Sequence, residues 1–146
     1  MIITDLDLQI EDIEWYGVDK NGRIAQFMSG GSFAVPGFVR ESRENLEIVS
    51  HFFEKYNQTI SETVLFNKNI EYPRKEFWEE CKYISQKGIY CYDIWHKSEF
   101  MNEYIYVCKP SLALAITDLP QDIQSVLSRY RMEKANFAGD EIITIQ

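Results

Sequence analysis

Two strand-like segments flank an Asn-Gly pair in residues 14–28, which read Glu14-Trp15-Tyr16-Gly17-Val18-Asp19-Lys20-Asn21-Gly22-Arg23-Ile24-Ala25-Gln26-Phe27-Met28. An Asn-Gly pair between two such segments is the strongest short-range signal for a β-hairpin, because both residues tolerate the positive φ angles of a tight turn. In the second segment Ile24 and Phe27 are an odd number of positions apart, so a regular strand would place their side chains on opposite faces of the sheet. This predicts a bulge or a strand buried on both faces. The sequence therefore predicts a hairpin over residues 13–29.

Two amphipathic helices are predicted after the hairpin. Apolar residues at spacings of three and four run through residues 41–56, and Ser42 is a candidate N-cap. A second helix is predicted over residues 73–87. Pro73 is compatible with its first turn, and Gly88 is compatible with the position after its last turn.

The period of the apolar residues changes to two after the second helix. Residues 89–95, 104–108 and 112–116 form three strand-like runs, with short connections between them. Successive strands without helical crossovers are typical of an antiparallel meander. We therefore expect consecutive antiparallel strands over residues 89–116.

The chain ends with a short helix and a closing strand, predicted over residues 120–130 and 141–145. No linker or internal repeat divides the 146 residues, and that length predicts one domain. The predicted fold is a single α+β domain, mainly antiparallel, with two longer helices and one short helix. The meander favours this fold over a doubly wound parallel sheet.

The predicted core is rich in aromatic side chains. Aromatic residues make up 14% of the chain, and each can remove on the order of 150–250 Å² of surface from water. Such a core needs no disulfide or structural metal. Five members of periodic apolar runs are expected to lie in it, namely Trp15, Phe27, Phe52, Phe77 and Leu114.

The balance of charge is acidic. Lys and Arg total 15 against 23 Asp and Glu, so the formal net charge is −8. Proteins that bind nucleic acid through its phosphates need a stripe of Lys and Arg, and anionic membrane surfaces attract basic segments. We therefore expect neither nucleic acid nor a membrane as a partner. No apolar run approaches the length of about 18 residues that a transmembrane helix requires.

The three cysteines, Cys81, Cys91 and Cys108, form an odd set without a CxxC pair. The first residues carry neither the cationic stretch nor the apolar run of a signal peptide. Reduced thiols in a cytoplasmic protein are therefore expected. No metal is predicted, because the cysteines and the two histidines lack the spacing of a zinc site.

Two glycine-containing segments share some features with phosphate and calcium loops. Gly30-Gly31-Ser32 does not open directly into a helix, as a phosphate loop does. Asp19-x-Asn21-Gly22 lacks the later acidic ligands of a calcium loop. Both are predicted to be turns, and we predict no cofactor.

The first 14 residues contain five acidic residues and no Lys or Arg. Leu6, Leu8 and Ile10 alternate with polar residues, a pattern that favours a half-buried strand or an extended arm. An acidic patch attracts a basic partner and raises the association rate more than the affinity. We therefore predict that this stretch forms one edge of a contact with another, basic protein, through Asp5, Asp7, Glu11, Asp12 and Glu14.

An acidic-Trp-aromatic run, an Asp-x-x-Gly turn and a Phe-x-Ser-x-Gly ending follow one another in residues 13–31. The tail contains Ile116-Thr117-Asp118-Leu119-Pro120-x-x-Ile123 and, further on, Phe137. These motifs resemble a loosely defined group of small acidic bacterial cytoplasmic proteins, some of which serve as immunity proteins beside bacterial toxins. The group as a whole has no activity that carries over to this chain, and the resemblance assigns no functional residue.

Two functional hypotheses follow. The first is a non-enzymatic binding protein, of the immunity type, that neutralises a basic toxin. The alternative is a small enzyme whose site is assembled from His51, His96, Cys91 and Asp93, although no catalytic residue is assigned and the histidines form no HxH, HExxH or HxxxH motif. A deep polar cleft holding two of these side chains would favour the enzyme, and an acidic face with aromatic side chains would favour binding.

Overall fold

The predicted hairpin lies at the centre of the sheet. The computed structural model describes residues 1–71 and 74–146, and in this part of the chain seven strands form one mixed sheet, ordered β3-β5-β4-β2-β1-β6, with β7 also paired to β5. The strands are β1 Glu14–Asp19, β2 Ile24–Met28, β3 Val64–Phe66, β4 Tyr90–Ile94, β5 Glu103–Pro110, β6 Arg131–Met132 and β7 Ile142–Thr144.

Helices cover part of this sheet. The described residues contain the helices α1 Asp5–Ile10, α2 Gly37–Arg40, α3 Arg43–Lys55, α4 Lys75–Gln86 and α5 Gln121–Leu127, with 3₁₀ turns at Ile116–Asp118 and Ser128–Tyr130. Four strand pairings are antiparallel, and the β1–β6 and β2–β4 pairings are parallel. The prediction of one α+β domain with a mainly antiparallel sheet is confirmed.

The hairpin turn is organised by the buried carboxylate of Asp19. Its Oδ1 accepts hydrogen bonds of 2.9 Å from the backbone N–H groups of Asn21 and Arg23, and Gly22 adopts a φ of 78°. Its Oδ2 accepts a 2.9 Å bond from the N–H of Phe137, far along the chain. The turn is therefore tied to the C-terminal part of the protein, and the predicted hairpin is confirmed.

One face of the sheet carries a stack of aromatic rings. Trp15 and Phe27 stack with centroids 4.1 Å apart, and Phe27 stacks on Tyr92 at 5.2 Å. The indole N–H of Trp15 donates to the Tyr104 hydroxyl at 3.0 Å, and that hydroxyl donates to the Ala34 carbonyl at 2.6 Å. The indole and hydroxyl groups of Trp15 and Tyr104 therefore have hydrogen-bond partners. The bond to Ala34 also holds the segment after β2 against the stack.

The two longer helices pack on the sheet as amphipathic elements. Ser42 caps α3 by accepting a hydrogen bond from the N–H of Asn45, and Phe53 packs on Tyr16 of β1. Gly88 follows α4 with a φ of 88°. The helices predicted over 41–56 and 73–87 are confirmed, whereas the role assigned to Pro73 lies outside the described residues.

Three of the five predicted core residues are confirmed. Trp15, Phe27 and Leu114 are buried. Phe52 and Phe77 are only partly buried, so their placement in the core was wrong. Phe53 takes the buried position on α3, because the stripe continues from the buried Val49 with a step of four residues rather than three.

The first 14 residues do not form the predicted strand or extended arm. Thr4 caps α1, and its hydroxyl accepts a hydrogen bond from the N–H of Asp7. The Asp7 carboxylate accepts one from the Thr4 N–H in return, which completes a capping box. This local exchange of hydrogen bonds favours a helix over the strand that the alternating apolar residues suggest.

The third strand of the predicted meander is also absent. Within the described chain, residues 112–115 belong to no strand, and a 3₁₀ turn begins at Ile116. The N–H of Leu114 donates to the Gly88 carbonyl, and the N–H of Leu112 donates to the Ser61 hydroxyl. Loop groups thus take the hydrogen bonds that a strand partner would supply. The predicted short helix over 120–130 and the closing strand are confirmed.

Candidate functional site

The predicted contact residues gather at one end of the sheet. Here β1 begins opposite the end of β2, with Glu14 paired to Met28, and Asp93, the last residue but one of β4, also pairs with Met28. The loops after β2 and β4 and the helix α1 therefore meet at this end. Of the five carboxylates predicted from the sequence, two belong to α1, two to the connection after it, and Glu14 to the first position of β1.

Three of these carboxylates form ion pairs with two arginines from the α2–α3 region. Asp5 pairs with Arg40 at 2.6 Å, while Asp7 and Glu11 pair with Arg43 at 3.1 and 2.9 Å. The hydrogen bond from the Thr4 backbone, helped by Arg43, holds the pKa of Asp7 below its usual value. The stretch is therefore partly neutralised within the protein, which the sequence did not show because the arginines lie some thirty residues away.

The other two carboxylates accept hydrogen bonds from β2 and from the loop that follows it. Asp12 accepts a 2.8 Å hydrogen bond from the N–H of Gly30, and Glu14 accepts a 3.0 Å bond from the side chain of Gln26. The structure therefore brings the five predicted residues to one region and gives each a partner. Carboxylate oxygens accept more than one hydrogen bond, so these groups can still meet a cationic partner.

The outer surface of α1 is apolar. Leu8 is buried, whereas Leu6 and Ile10, one helical turn apart, are 63% and 71% exposed. Because the helix has a period of 3.6 residues, these two side chains lie together on the side opposite Leu8. The sequence missed this surface because a strand would have placed all three side chains on one face.

A cleft of about 450 Å³ lies between α3 and α4 and is lined by Glu14 of β1 and Gln26 of β2. α3 packs on β1, whereas α4 packs on β4 and β5, so the cleft lies between two helices that cover different strands of the sheet. Glu54 of α3 and Glu80 of α4 contribute two further carboxylates. These residues are distant in sequence, and no local motif connects them.

The charges of this cleft influence one another. Partial burial, together with the nearby Asp12, Glu80 and Glu54, raises the pKa of Glu14. Burial lowers the pKa of Lys87, whose ammonium group donates to the Phe53 carbonyl at 2.6 Å. Three carboxylates line the cleft against this one ammonium group, so the cleft keeps an excess of negative charge that favours a cation from outside.

The four residues of the enzyme hypothesis occupy different environments. His51 and His96 are exposed, whereas Cys91 is buried and Asp93 is 9% exposed. His96 lines a cleft with Trp95 and neighbouring charged residues, and the other three do not line that cleft. Across residues 1–71 and 74–146, no group of three or more His, Cys, Asp or Glu side chains is placed to hold a metal ion.

The three cysteines meet in a small apolar cluster between α4 and the sheet. A hydrogen bond with Cys81 and burial raise the pKa of Cys91, and burial raises the pKa of Cys108 to about 11. A thiol with that pKa has about two orders of magnitude less thiolate at pH 8 than an ordinary cysteine. All three thiols are free and buried, which makes them packing groups rather than nucleophiles.

We expect these thiols to resist modification in the folded protein. With a chromogenic disulfide reagent at pH 8, the native protein should react at least about a hundredfold more slowly than the protein in urea, because access and thiolate are both restricted. The unfolded protein should show all three thiols. A thiol that reacts rapidly before unfolding would contradict this assignment.

The comparisons with known proteins identify no relative: no family model, no curated protein and no solved structure matches the chain. In the part of the chain that the structure describes, no helix combines the length and the apolar character needed to cross a bilayer. The candidate site is therefore inferred from the geometry and charges of its residues alone.

Proposed function

We propose that this protein acts by binding another, basic protein at the end of the sheet where α1 meets the hairpin. The observation that carries the proposal is the outer surface of α1, where the exposed Leu6 and Ile10 lie among carboxylates. Apolar anchors surrounded by charged residues are the usual composition of a protein interface. Two neighbouring apolar side chains that the fold leaves in water are available to a partner.

The charge around α1 and the cleft supports a basic partner. The ion pairs of Asp5, Asp7 and Glu11 with arginines are exposed to varying degrees, so solvent weakens them and the carboxylates can exchange partners. The cleft at Glu14 adds the carboxylates of Glu14, Glu54 and Glu80, which together outnumber the ammonium group of Lys87. The net charge of −8 extends the attraction beyond direct contact.

The finer proposal is that the partner is a bacterial toxin and that this chain is its immunity protein. What supports it is the acidic charge, together with the resemblance of residues 13–31 and 116–123 to small acidic bacterial proteins, a kind of protein that includes immunity proteins. Neutralisation would be steric, with α1 and the neighbouring aromatic side chains covering a basic surface of the toxin. The proposed compartment is the cytoplasm, in agreement with three free, buried thiols.

The test compares association rates of charge variants. The test variant replaces Asp5, Asp7, Glu11, Asp12 and Glu14 with Asn or Gln. Partners are captured from native host lysate, and the association rate of each purified partner is measured at low and high salt. We expect the test variant to associate about tenfold or more slowly at low salt, and the difference to shrink as the Debye length falls below roughly 8–10 Å.

A matched control removes five carboxylates elsewhere on the surface. It replaces exposed residues outside the candidate site, namely Glu47, Glu62, Glu76, Asp118 and Asp122. Both variants change the net charge equally, so both should lose the same long-range attraction to a basic partner. Only the test variant should show a further decrease in the association rate. Equal association rates for the two variants would exclude the N-terminal stretch from the interface. Turnover of a small substrate that is lost on replacing His51 or His96, with no protein partner captured, would support the enzyme instead.

A further inference from the structure

A groove of about 740 Å³ adjoins α1 at the same end of the sheet. Its walls come from the loop after β2, which carries Phe33, and from the loop between β4 and β5, which carries Phe100 and Met101. We propose that this groove receives apolar side chains from an amphipathic, basic segment of the partner protein. This inference rests on the proposed function and names the part of the partner that the site would recognise.

The apolar side chains around the groove are more exposed than folding alone would require. Phe33 is 54% exposed and Phe100 is 76% exposed, and the neighbouring Met101 also reaches solvent. Because both aromatic side chains line the same groove, a single segment of a partner can cover them together. Aromatic side chains of this kind contribute strongly to binding when a partner removes them from water.

The groove is held open by hydrogen bonds to the rest of the protein. The Tyr104 hydroxyl binds the Ala34 carbonyl at 2.6 Å and fixes the loop that carries Phe33. Asn102 exchanges hydrogen bonds with Ile145, at 2.8 Å through the backbone and 3.1 Å through its amide group. Because the walls are fixed before binding, a partner loses little free energy in ordering them.

The backbone beside Phe100 is strained. Met101 has a φ of 52°, which is uncommon for a residue with a side chain. The conformation directs the chain back towards β5, whose first residues pair with β7. Strain of this kind persists where the surrounding structure enforces it, and here it accompanies the exposed pair Phe100 and Met101.

The charges near the groove favour a basic occupant. Asp12 holds Gly30 in its wall, and Glu99 is an exposed neighbour of Phe100. Arg40 also lines the groove, but it is paired with Asp5 at 2.6 Å. A segment with apolar anchors and flanking Lys or Arg is complementary to this arrangement. A second copy of the chain carries the same net charge of −8, so repulsion disfavours it as the occupant.

The test uses three synthetic peptides as probes of the full-length, isotope-labelled protein. The first is an amphipathic peptide of leucine and lysine. The second replaces lysine with glutamate and keeps the apolar anchors, and the third replaces leucine with serine and keeps the positive charge. Backbone amide shifts should change at Gly30, Gly31 and Met101 with the first peptide and far less with the other two.

Substitutions in the walls identify the groove as the binding site. Phe33→Ser and Phe100→Ser should each weaken binding of the leucine-lysine peptide by about tenfold. Leu112→Ser is the matched control, because Leu112 is 63% exposed and does not line the groove. The control should bind the peptide as the original protein does. Because Phe33 and Phe100 are exposed, the variants should remain folded.

The outcomes separate this inference from the proposed function. Shifts at α1 without shifts at the groove would overturn the inference and leave the proposed function standing. Equal binding of the leucine-glutamate peptide, or no saturable binding of the leucine-lysine peptide, would also overturn it. The capture experiment with lysate tests the proposed function separately, because the peptides take no part in it.

Discussion

Replacing Phe27 with alanine should lower the free energy of unfolding by about 3–5 kcal/mol. Phe27 is fully buried and lies between Trp15 and Tyr92 in the aromatic stack. Its removal would leave a cavity beneath rings that the Trp15–Tyr104 and Tyr104–Ala34 hydrogen bonds hold in position. The surrounding side chains therefore cannot collapse into the space, and the loss should approach the upper part of the range.

Phe52→Ala is the control for this prediction. Phe52 is only partly buried and lies on the outer side of Phe53, so its removal should cost about 1 kcal/mol. Chemical denaturation of the two variants, with the slope of the transition compared as well as its midpoint, measures both values. Equal losses would show that the aromatic stack is not the centre of the core.

Replacing Gly88 with alanine should destabilise the protein by about 3–5 kcal/mol, because strain and overpacking act together. Gly88 has a φ of 88°, which disfavours any residue with a side chain. An added Cβ would lie 2.5 Å from the backbone N of Leu114 and 2.9 Å from its Cβ. The same approach allows the Leu114 N–H to donate to the Gly88 carbonyl, so relieving the clash would break that hydrogen bond.

Gly37→Ala is the matched control. Gly37 begins α2, and an added Cβ would meet no atom within 4 Å. Alanine in a helix restricts the unfolded chain, so this change should be neutral or stabilising by about 0.5 kcal/mol. Thermal and denaturant unfolding of the two variants provides the comparison. An unchanged unfolding midpoint in Gly88→Ala would mean that the segment around Leu114 can move away without cost.

The two stability predictions concern the scaffold, whereas the binding predictions concern its surface. Phe27 and Gly88 lie away from the exposed residues Leu6, Ile10 and Phe100, which can be changed without opening a cavity in the core. Loss of binding in a surface variant with an unaltered unfolding midpoint would therefore report on recognition. Loss of binding in Phe27→Ala would report on folding.

Local signals were sufficient for most of the elements. The Asn21-Gly22 pair predicted the hairpin, and Ser42 and Gly88 predicted the ends of the two longer helices. Each of these residues affects only the neighbouring backbone, through a positive φ angle or a capping hydrogen bond. They can therefore be recognised in the sequence without knowledge of tertiary contacts. The periodicity after Gly88 likewise predicted β4 and β5.

Apolar alternation was misleading in two segments, because an alternating pattern does not exclude a helix or a loop. Leu6, Leu8 and Ile10 suit a strand by alternation, but the Thr4–Asp7 capping box produced a helix. Residues 112–116 also alternate, yet their backbone bonds go to Ser61 and Gly88. In both segments the choice was decided by where the backbone hydrogen bonds could be satisfied, which an apolar pattern does not specify.

The sequence by itself determined the α+β class, the hairpin and the excess of acidic groups near the start of the chain. Only the tertiary structure decided that Arg40 and Arg43 pair with those acids, and that Phe33 and Phe100 border one groove. Charge and periodicity are properties of neighbouring residues and can be counted along the chain. Clefts and ion pairs join residues many positions apart, so they exist only after the sheet has brought their loops to one end.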